Sequence, residues 1–180
     1  LDSQYGTLYQ KGAGYQLTLR EAVRIMLQNS DNTALKAVSA SLGTLLNADQ
    51  NAFSSLDMDY QVNKDFSISI GARSYSSTLK CLYIACYNNK EDSQTILKYL
   101  TDTPYDTRIA AGVSDKNLKI AHKIGTQLNE VQSDCGIVYY PKRNYLLCVM
   151  IQGNESPESD KKIAEISKIT YDFIKNIQAN

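Results

Sequence analysis

The chain has 180 residues, 43% of them hydrophobic and 21% charged, with 19 basic side chains against 19 acidic ones. That length suits one domain or two small lobes and can bury about 70% of the unfolded surface, while nine Gly and three Pro are too few for a collagen-like or low-complexity chain. A net charge of zero argues against a nucleic-acid binder that works by displacing phosphate counterions, and no apolar run approaches the ~18–20 residues that cross a bilayer.

Residues 1–17, with Gly6, Gly12 and Gly14, form an irregular approach. Thr18-Leu19-Arg20-Glu21 is a capping box, and Leu19, Ala22, Val23, Ile25 and Met26 then recur at helical spacing to about Gln28. Ser30-Asp31-Asn32 interrupts with residues that favour caps and turns, and a short helix follows through Ala34, Leu35, Val38 and Leu42. Between Gly43 and Gly71 no period holds, so this stretch is expected to be loop-like. Ser74 is the expected cap of a helix through Leu79, Leu82 and Cys86 that Asn88-Asn89 ends, and Ile96, Leu97 and Leu100 mark another that stops before Pro104. The pattern then changes to strands at 118–123, 135–140 and 145–151, the last two a hairpin around Pro141-Lys142-Arg143-Asn144. A terminal helix carries Ile163, Ile166, Ile169, Phe173 and Ile177 along one stripe, expected to cover the sheet. The fold class is α/β in the α+β sense: a helical lobe over 1–105, then an antiparallel sheet and covering helix over 106–180.

Cys81 and Cys86, five apart on an apparent helix, are expected on different sides of it. Cys135 and Cys148 share a face but stand diagonal if the hairpin is centred on Lys142-Arg143. Four buried free thiols are therefore the expectation, and the compartment is left open. With no CxxC and one His, the sequence supports neither a zinc site nor a thioredoxin motif. There is no GxGxxG or GxxxxGK[ST] nucleotide loop. Asp57-Met58-Asp59 begins like a calcium loop but has Val62 where Gly is needed and Ile68 where the bidentate Glu belongs.

Two short segments stand out as a pair. Ser30-Asp31-Asn32-Thr33-Ala34 follows an amphipathic helix, and His122-Lys123-Ile124-Gly125-Thr126 ends a strand about 90 residues later. Alone, the first is an ordinary cap and the second an ordinary strand-end lysine. In this order and on these elements, the pair resembles the active-site-serine penicillin-recognising family, meaning class A β-lactamases and D,D-peptidases, with its S-x-x-K, S-D-N and K-T-G motifs. Ser133-Asp134-Cys135-Gly136-Ile137-Val138 extends the likeness, which runs from about Gly6 to the terminal helix.

The resemblance implies a β-lactamase/transpeptidase-like fold and a role for each motif residue. Ser30 would relay a proton to the leaving nitrogen, and Asn32 would offer its amide to the substrate. Lys123, a cation unless desolvated, would hold the substrate carboxylate. Thr126 would supply an oxyanion N–H, and Gly125 would let substrate lie close to the strand. No cofactor or metal is implied. The implied ligands are a peptidoglycan stem peptide or a β-lactam, and the implied location is extracytoplasmic.

Three departures qualify the likeness. Ile124 stands where Thr or Ser normally touches the carboxylate. Between Asp31 and Lys90 there is no Glu to deacylate a β-lactam, although Asp57, Asp59 and Asp65 lie in that stretch. The nucleophile's S-x-x-K is absent before Ser30; Ser77-Thr78-Leu79-Lys80 and Ser159-Asp160-Lys161-Lys162 match the string but come later. With Leu rather than Met as first residue, the expectation is the C-terminal portion of such an enzyme, its apolar edge 145–151 covered by the missing N-terminal segment or a second chain. The alternatives are a non-catalytic cell-wall-peptide or protein-binding module on the same scaffold, and a plain structural domain in which both motifs are coincidence.

Overall fold

A computed structural model describes residues 1–42, 53–56, 58–62, 68–87, 89–127 and 130–178. Helix α1 (Leu19–Asn29) opens on the capping box: the Thr18 hydroxyl accepts from the Glu21 N–H, and the Glu21 carboxylate accepts from the Thr18 N–H. It stops where Ser30 enters the left-handed region at φ 53°, and α2 (Asn32–Leu42) leaves in a new direction.

The stretch expected to be irregular contains, among its described residues, a small antiparallel hairpin of β1 (Tyr60–Val62) and β2 (Ile68–Ile70). Asp57 and Asp65 lie outside the described residues, as does Asn88. Helix α3 (Ala72–Ile84) starts directly after Gly71 rather than at Ser74, and Asn89 caps the next helix, α4 (Lys90–Thr101), accepting from the Asp92 N–H. A single turn, α5 (Ile109–Gly112), leads to the sheet.

That sheet runs β3 (Ile120–Gln127), β4 (Val131–Val138) and β5 (Tyr145–Gln152) in sequential antiparallel order, and α6 (Pro157–Gln178) packs on it. Its alternating residues serve two cores. Ala121, Cys135 and Ile137 face α3 and α4 with Leu79, Leu97 and Leu100. Val138 and Val149 face α5 and α6 with Ile109, Val113, Ile163 and Tyr171.

Both cysteine expectations are overturned, for two different reasons. Ala85 leaves α3 in the left-handed conformation, and the Cys86 N–H turns back onto the Cys81 carbonyl, so the pair escapes the geometry of a continuous helix and forms a disulfide with Cα atoms 5.0 Å apart. The hairpin pairs Val138 with Tyr145, which centres it on Pro141-Lys142. This one-residue shift sets Cys135 directly opposite Cys148, and they too are bonded.

The stripe on the terminal helix is corrected as well. Only Ile163 of that set faces the sheet, in line with Ser167 and Tyr171. Ile169 and Phe173 are 70% and 62% exposed, and Ile166 and Ile177 also face solvent. The buried line needs small side chains at its centre: a Cβ on Gly112 would meet the Ala164 carbonyl at 2.3 Å, and the Ser167 hydroxyl donates to the Ile109 carbonyl. The bulkier residues instead form a second apolar line that faces solvent.

Candidate active site

The loop between α1 and α2 is built around Asp31, whose carboxylate is 1% exposed. One oxygen accepts from the N–H groups of Thr7 (2.7 Å) and Leu8 (2.8 Å), and the other from Ala34 (2.8 Å) in the first turn of α2. A buried carboxylate needs such donors to offset its lost hydration. Gly6, at φ 84°, lets the N-terminal segment approach closely, since a Cβ there would lie 2.0 Å from the carboxylate. The segment also receives the Asn32 N–H on the Tyr5 carbonyl, and the Tyr105 hydroxyl donates to the Asn29 carbonyl on the other side. Ser30, between these anchors, projects its hydroxyl into the space beside β3.

Lys123 fills that space. Its ammonium donates to Ser30 Oγ at 2.5 Å and to the Ile124 carbonyl at 2.9 Å, joining residues 93 positions apart. Burial lowers Lys123 to about 8; the Arg108 cation pushes the same way and the Asp134 carboxylate opposes. A hydroxyl bonded to such an amine can relay a proton, taking one from the ammonium as it passes its own on.

Beneath the strand end lies Arg108, 3% exposed, with all five of its donor positions taken. Nε donates to Asp160 (2.6 Å), Nη1 to the Ser133 (2.6 Å) and Gly125 (3.0 Å) carbonyls, and Nη2 to Thr126 Oγ1 (3.1 Å) and Gln132 Oε1 (3.2 Å). The Gly125 carbonyl and the Thr126 N–H belong to one trans peptide. Fastening the carbonyl to Arg108 therefore aims the N–H away from it. Next along β3, His122 Nδ1 meets the fully buried Asp134 carboxylate at 2.9 Å, and the same carboxylate accepts the Ile109 N–H.

Tyr5 crosses the far side of this region. Its hydroxyl donates to Glu155 at 3.0 Å and meets the Thr126 side chain; burial and then Glu155 raise it above the ordinary phenol value.

Of the residues singled out in the sequence, Ser30 and Lys123 are in contact, and Gly125 and Thr126 lie on the same strand end. Asn32 is adjacent, but its side-chain amide is turned to Asp2 at 3.4 Å. The two S-x-x-K serines bond locally instead: Ser77 to the Arg73 carbonyl on its own helix, and Ser159 to the Asn154 carbonyl at the start of α6. Arg108, Tyr5 and Glu155 were missed. Each is a lone residue in irregular chain with no period to mark it; the nearest signal was the unexplained Ile124, which asks what else meets the strand end.

A helical lobe and an antiparallel sheet meeting at a Ser-Asp-Asn loop and a Lys-x-Gly strand define a penicillin-recognising serine protein. The sequence profile of the Beta-lactamase enzyme family matches residues 2–174, and the chain belongs to that family. Among solved structures it is similar to PBP-A, with 20% identity and a TM-score of 0.85 over 97% of this chain and 68% of that one. It is also similar to a beta-lactamase from Sphaerobacter thermophilus (22%, 0.80, covering 91% and 65%) and a class A beta-lactamase from Mycobacterium abscessus (18%, 0.80, covering 96% and 71%). No curated protein matches the chain by sequence.

Proposed function

We propose that this chain forms the proton-relay and oxyanion side of a serine acyl-transfer site for peptidoglycan stem peptides or β-lactams. The observation that carries the reading is the hydrogen bond between Ser30 and a partly desolvated Lys123. Ser30 passes a proton between Lys123 and the leaving nitrogen. The Thr126 N–H faces the developing oxyanion, and Gly125 lets the substrate lie against β3. Asn32 turns from Asp2 to the substrate amide. The nucleophilic serine comes from a segment outside residues 1–180 or from a second chain, which also covers β5 and the exposed Ile169 and Phe173 of α6.

An extracytoplasmic site of action fits two disulfides, which persist in oxidising compartments. Among the described residues no helix is long and apolar enough to cross a membrane. A second reading, a binding module without catalysis, is favoured by one observation: the Ser77 and Ser159 hydroxyls are engaged with local carbonyls.

The test combines intact-mass spectrometry with amide NMR. Residues 1–180 incubated with benzylpenicillin are expected to gain no covalent mass, while diacetyl-lysyl-D-alanyl-D-alanine or its amide shifts the Ser30, Asn32 and Thr126 resonances. Lys123→Met should abolish those shifts. A stoichiometric adduct on Ser77 would overturn the assignment of the nucleophile, and absence of any shift would overturn the site. Adding a peptide or chain that bears an S-x-x-K helix separates the two readings, because only the enzyme then acylates.

A further inference from the structure

The face of β3 toward α5 carries a histidine that the acyl-transfer reading does not use. His122 is 3% exposed, and its Nδ1 lies 2.9 Å from the fully buried Asp134 carboxylate, which also accepts the Ile109 N–H. With the Nδ1 proton committed to Asp134, the neutral ring presents Nε2 as a lone pair. Among the described residues Nε2 has no hydrogen-bond partner. Nor is it sealed away from solvent, as the partnerless polar atoms of Ser93, Gln132 and Tyr145 are. The ring borders a cavity of about 420 Å³ between β3 and the chain from Thr101 to Asn117, and its small exposure falls there. Tyr105 lines the same cavity; its hydroxyl is engaged with the Asn29 carbonyl at 2.8 Å, so the ring is what it offers. At the mouth stand the exposed carboxylates of Asp106 and Asp115. Asp106 has no partner among the described residues, and Asp115 uses one oxygen to accept from Asn117. Of the two lysines there, Lys116 turns its ammonium onto the Ala110 carbonyl at 3.0 Å, and Lys119 is exposed. Counting Asp134, three carboxylates face two ammonium groups, and the buried end is a hydrogen-bond acceptor. A cation with N–H donors matches all of these: a lone pair, carboxylates and an aromatic ring.

We infer that this cavity is a second binding site, for a small organic primary ammonium that donates to His122 Nε2 and faces Asp106, its carbon chain against Tyr105. The inference is independent of the acyl-transfer reading, because His122 and Lys123 alternate across β3 and present their side chains to opposite faces. Two links still join the sites. Tyr105 holds the carbonyl of Asn29, the residue before Ser30, and His122 precedes Lys123 in the strand. An occupant is therefore felt at Ser30. Asp134, with no exposed surface, fixes the ring without touching the ligand and is a positioning residue.

The test titrates residues 1–180, at about pH 8 and so above the ordinary imidazole range, with three probes of one size. These are propylammonium chloride, propanamide and sodium propionate, with sodium chloride at matched ionic strength as the blank. His122 is the only histidine, so long-range proton–nitrogen spectra report its two ring nitrogens without ambiguity. The free chain is expected to carry its proton on Nδ1. Propylammonium should then move the Nε2 signal saturably, and the Tyr105 and Ser30 amides with it. A unit-charge contact at about 4 Å in a water-like medium corresponds to about fivefold in affinity. Propylammonium should therefore bind about fivefold tighter than propanamide, and propionate more weakly still. Asp106→Asn, at an exposed position, keeps the fold and should remove most of that preference; Asp106→Lys should reverse it. His122→Gln keeps a donor for Asp134 and should abolish the saturable shift at Tyr105. A proton on Nε2 of the free ring, equal or tighter binding of propionate, or an undiminished preference in Asp106→Asn would overturn the inference. Absence of saturable shifts with all three probes would also overturn it. None of the probes resembles an acyl substrate, so either failure leaves the Ser30–Lys123 site to its own test.

Discussion

The two faces of β3 differ in how completely their polar groups are satisfied. On the face toward α3 and α4, Lys123 is a half-buried amine with one hydroxyl and one carbonyl as partners, and its affinity for a proton is lowered. On the face toward α5 and α6, Arg108 has every donor taken and Asp134 holds both His122 and the Ile109 amide. One strand thus separates a partly desolvated lysine from a guanidinium whose donors are all satisfied, using only the alternation of side chains along an extended backbone. The rigid side serves the labile one: Arg108 grips the Gly125 carbonyl and so orients the peptide whose other end is the Thr126 N–H.

Removing Arg108 should break this contrast most severely. Arg108→Ala leaves Asp160, Gln132 and two carbonyls without their donor, and a stripped buried ion pair costs about 3–5 kcal/mol. Urea denaturation is the measurement, and a loss below about 1 kcal/mol would show that the network does not brace the strand.

Next in size are the disulfides. Converting Cys135 and Cys148 to Ala frees a longer loop than converting Cys81 and Cys86, with expected losses of about 3 and about 2 kcal/mol in the chain-entropy account. The reverse order in melting experiments would mean that the cross-strand bond beside Lys123 is not a brace for that face.

Stability against pH isolates the labile face. Because Lys123 titrates near 8 in the folded chain and at the ordinary lysine value when unfolded, the unfolded state binds more protons between those limits. Stability should therefore rise with pH from about 8 to about 10. Above that, tyrosines held upward by burial, Tyr145 at about 12 among them, reverse the slope. Lys123→Met should flatten the rise; an unchanged slope would exclude Lys123 as its source.

The smallest effect concerns Ser30, which occupies a left-handed conformation. Ser30→Ala loses a hydrogen bond and keeps the strained backbone, at a cost of about 1 kcal/mol. Ser30→Gly loses the same bond but relaxes the backbone and should fall within about 0.5 kcal/mol of the parent. Equal destabilisation by the two would show that the loop is set by its anchors on Asp31 alone.

How much was legible depended on range. The capping box at Thr18, the helix after it and the three strands rest on residues a few positions apart, and they could be placed to within a few residues. The Ser30 and Lys123 segments could be paired because a family resemblance linked them; neither has a local feature that points to the other. The stripe on α6 misled because helical periodicity shows where apolar residues line up but not which line meets the sheet. The cysteines misled through a one-residue error in a hairpin centre and a left-handed alanine, neither of which composition marks.

By itself the sequence determined where helices start, where strands run, and that a Ser-Asp-Asn loop and a Lys-x-Gly strand are present, because capping and alternation act over a few residues. Only the tertiary structure decided that Asp31 is spent on three backbone amides rather than free for chemistry. It alone also gave Arg108 five partners drawn from two strands and a helix, and set Glu155 against Tyr5 across 150 positions of chain. The physical reason is that a polar group's role is set by which donors and acceptors surround it once water is gone, and those neighbours come from distant parts of the chain.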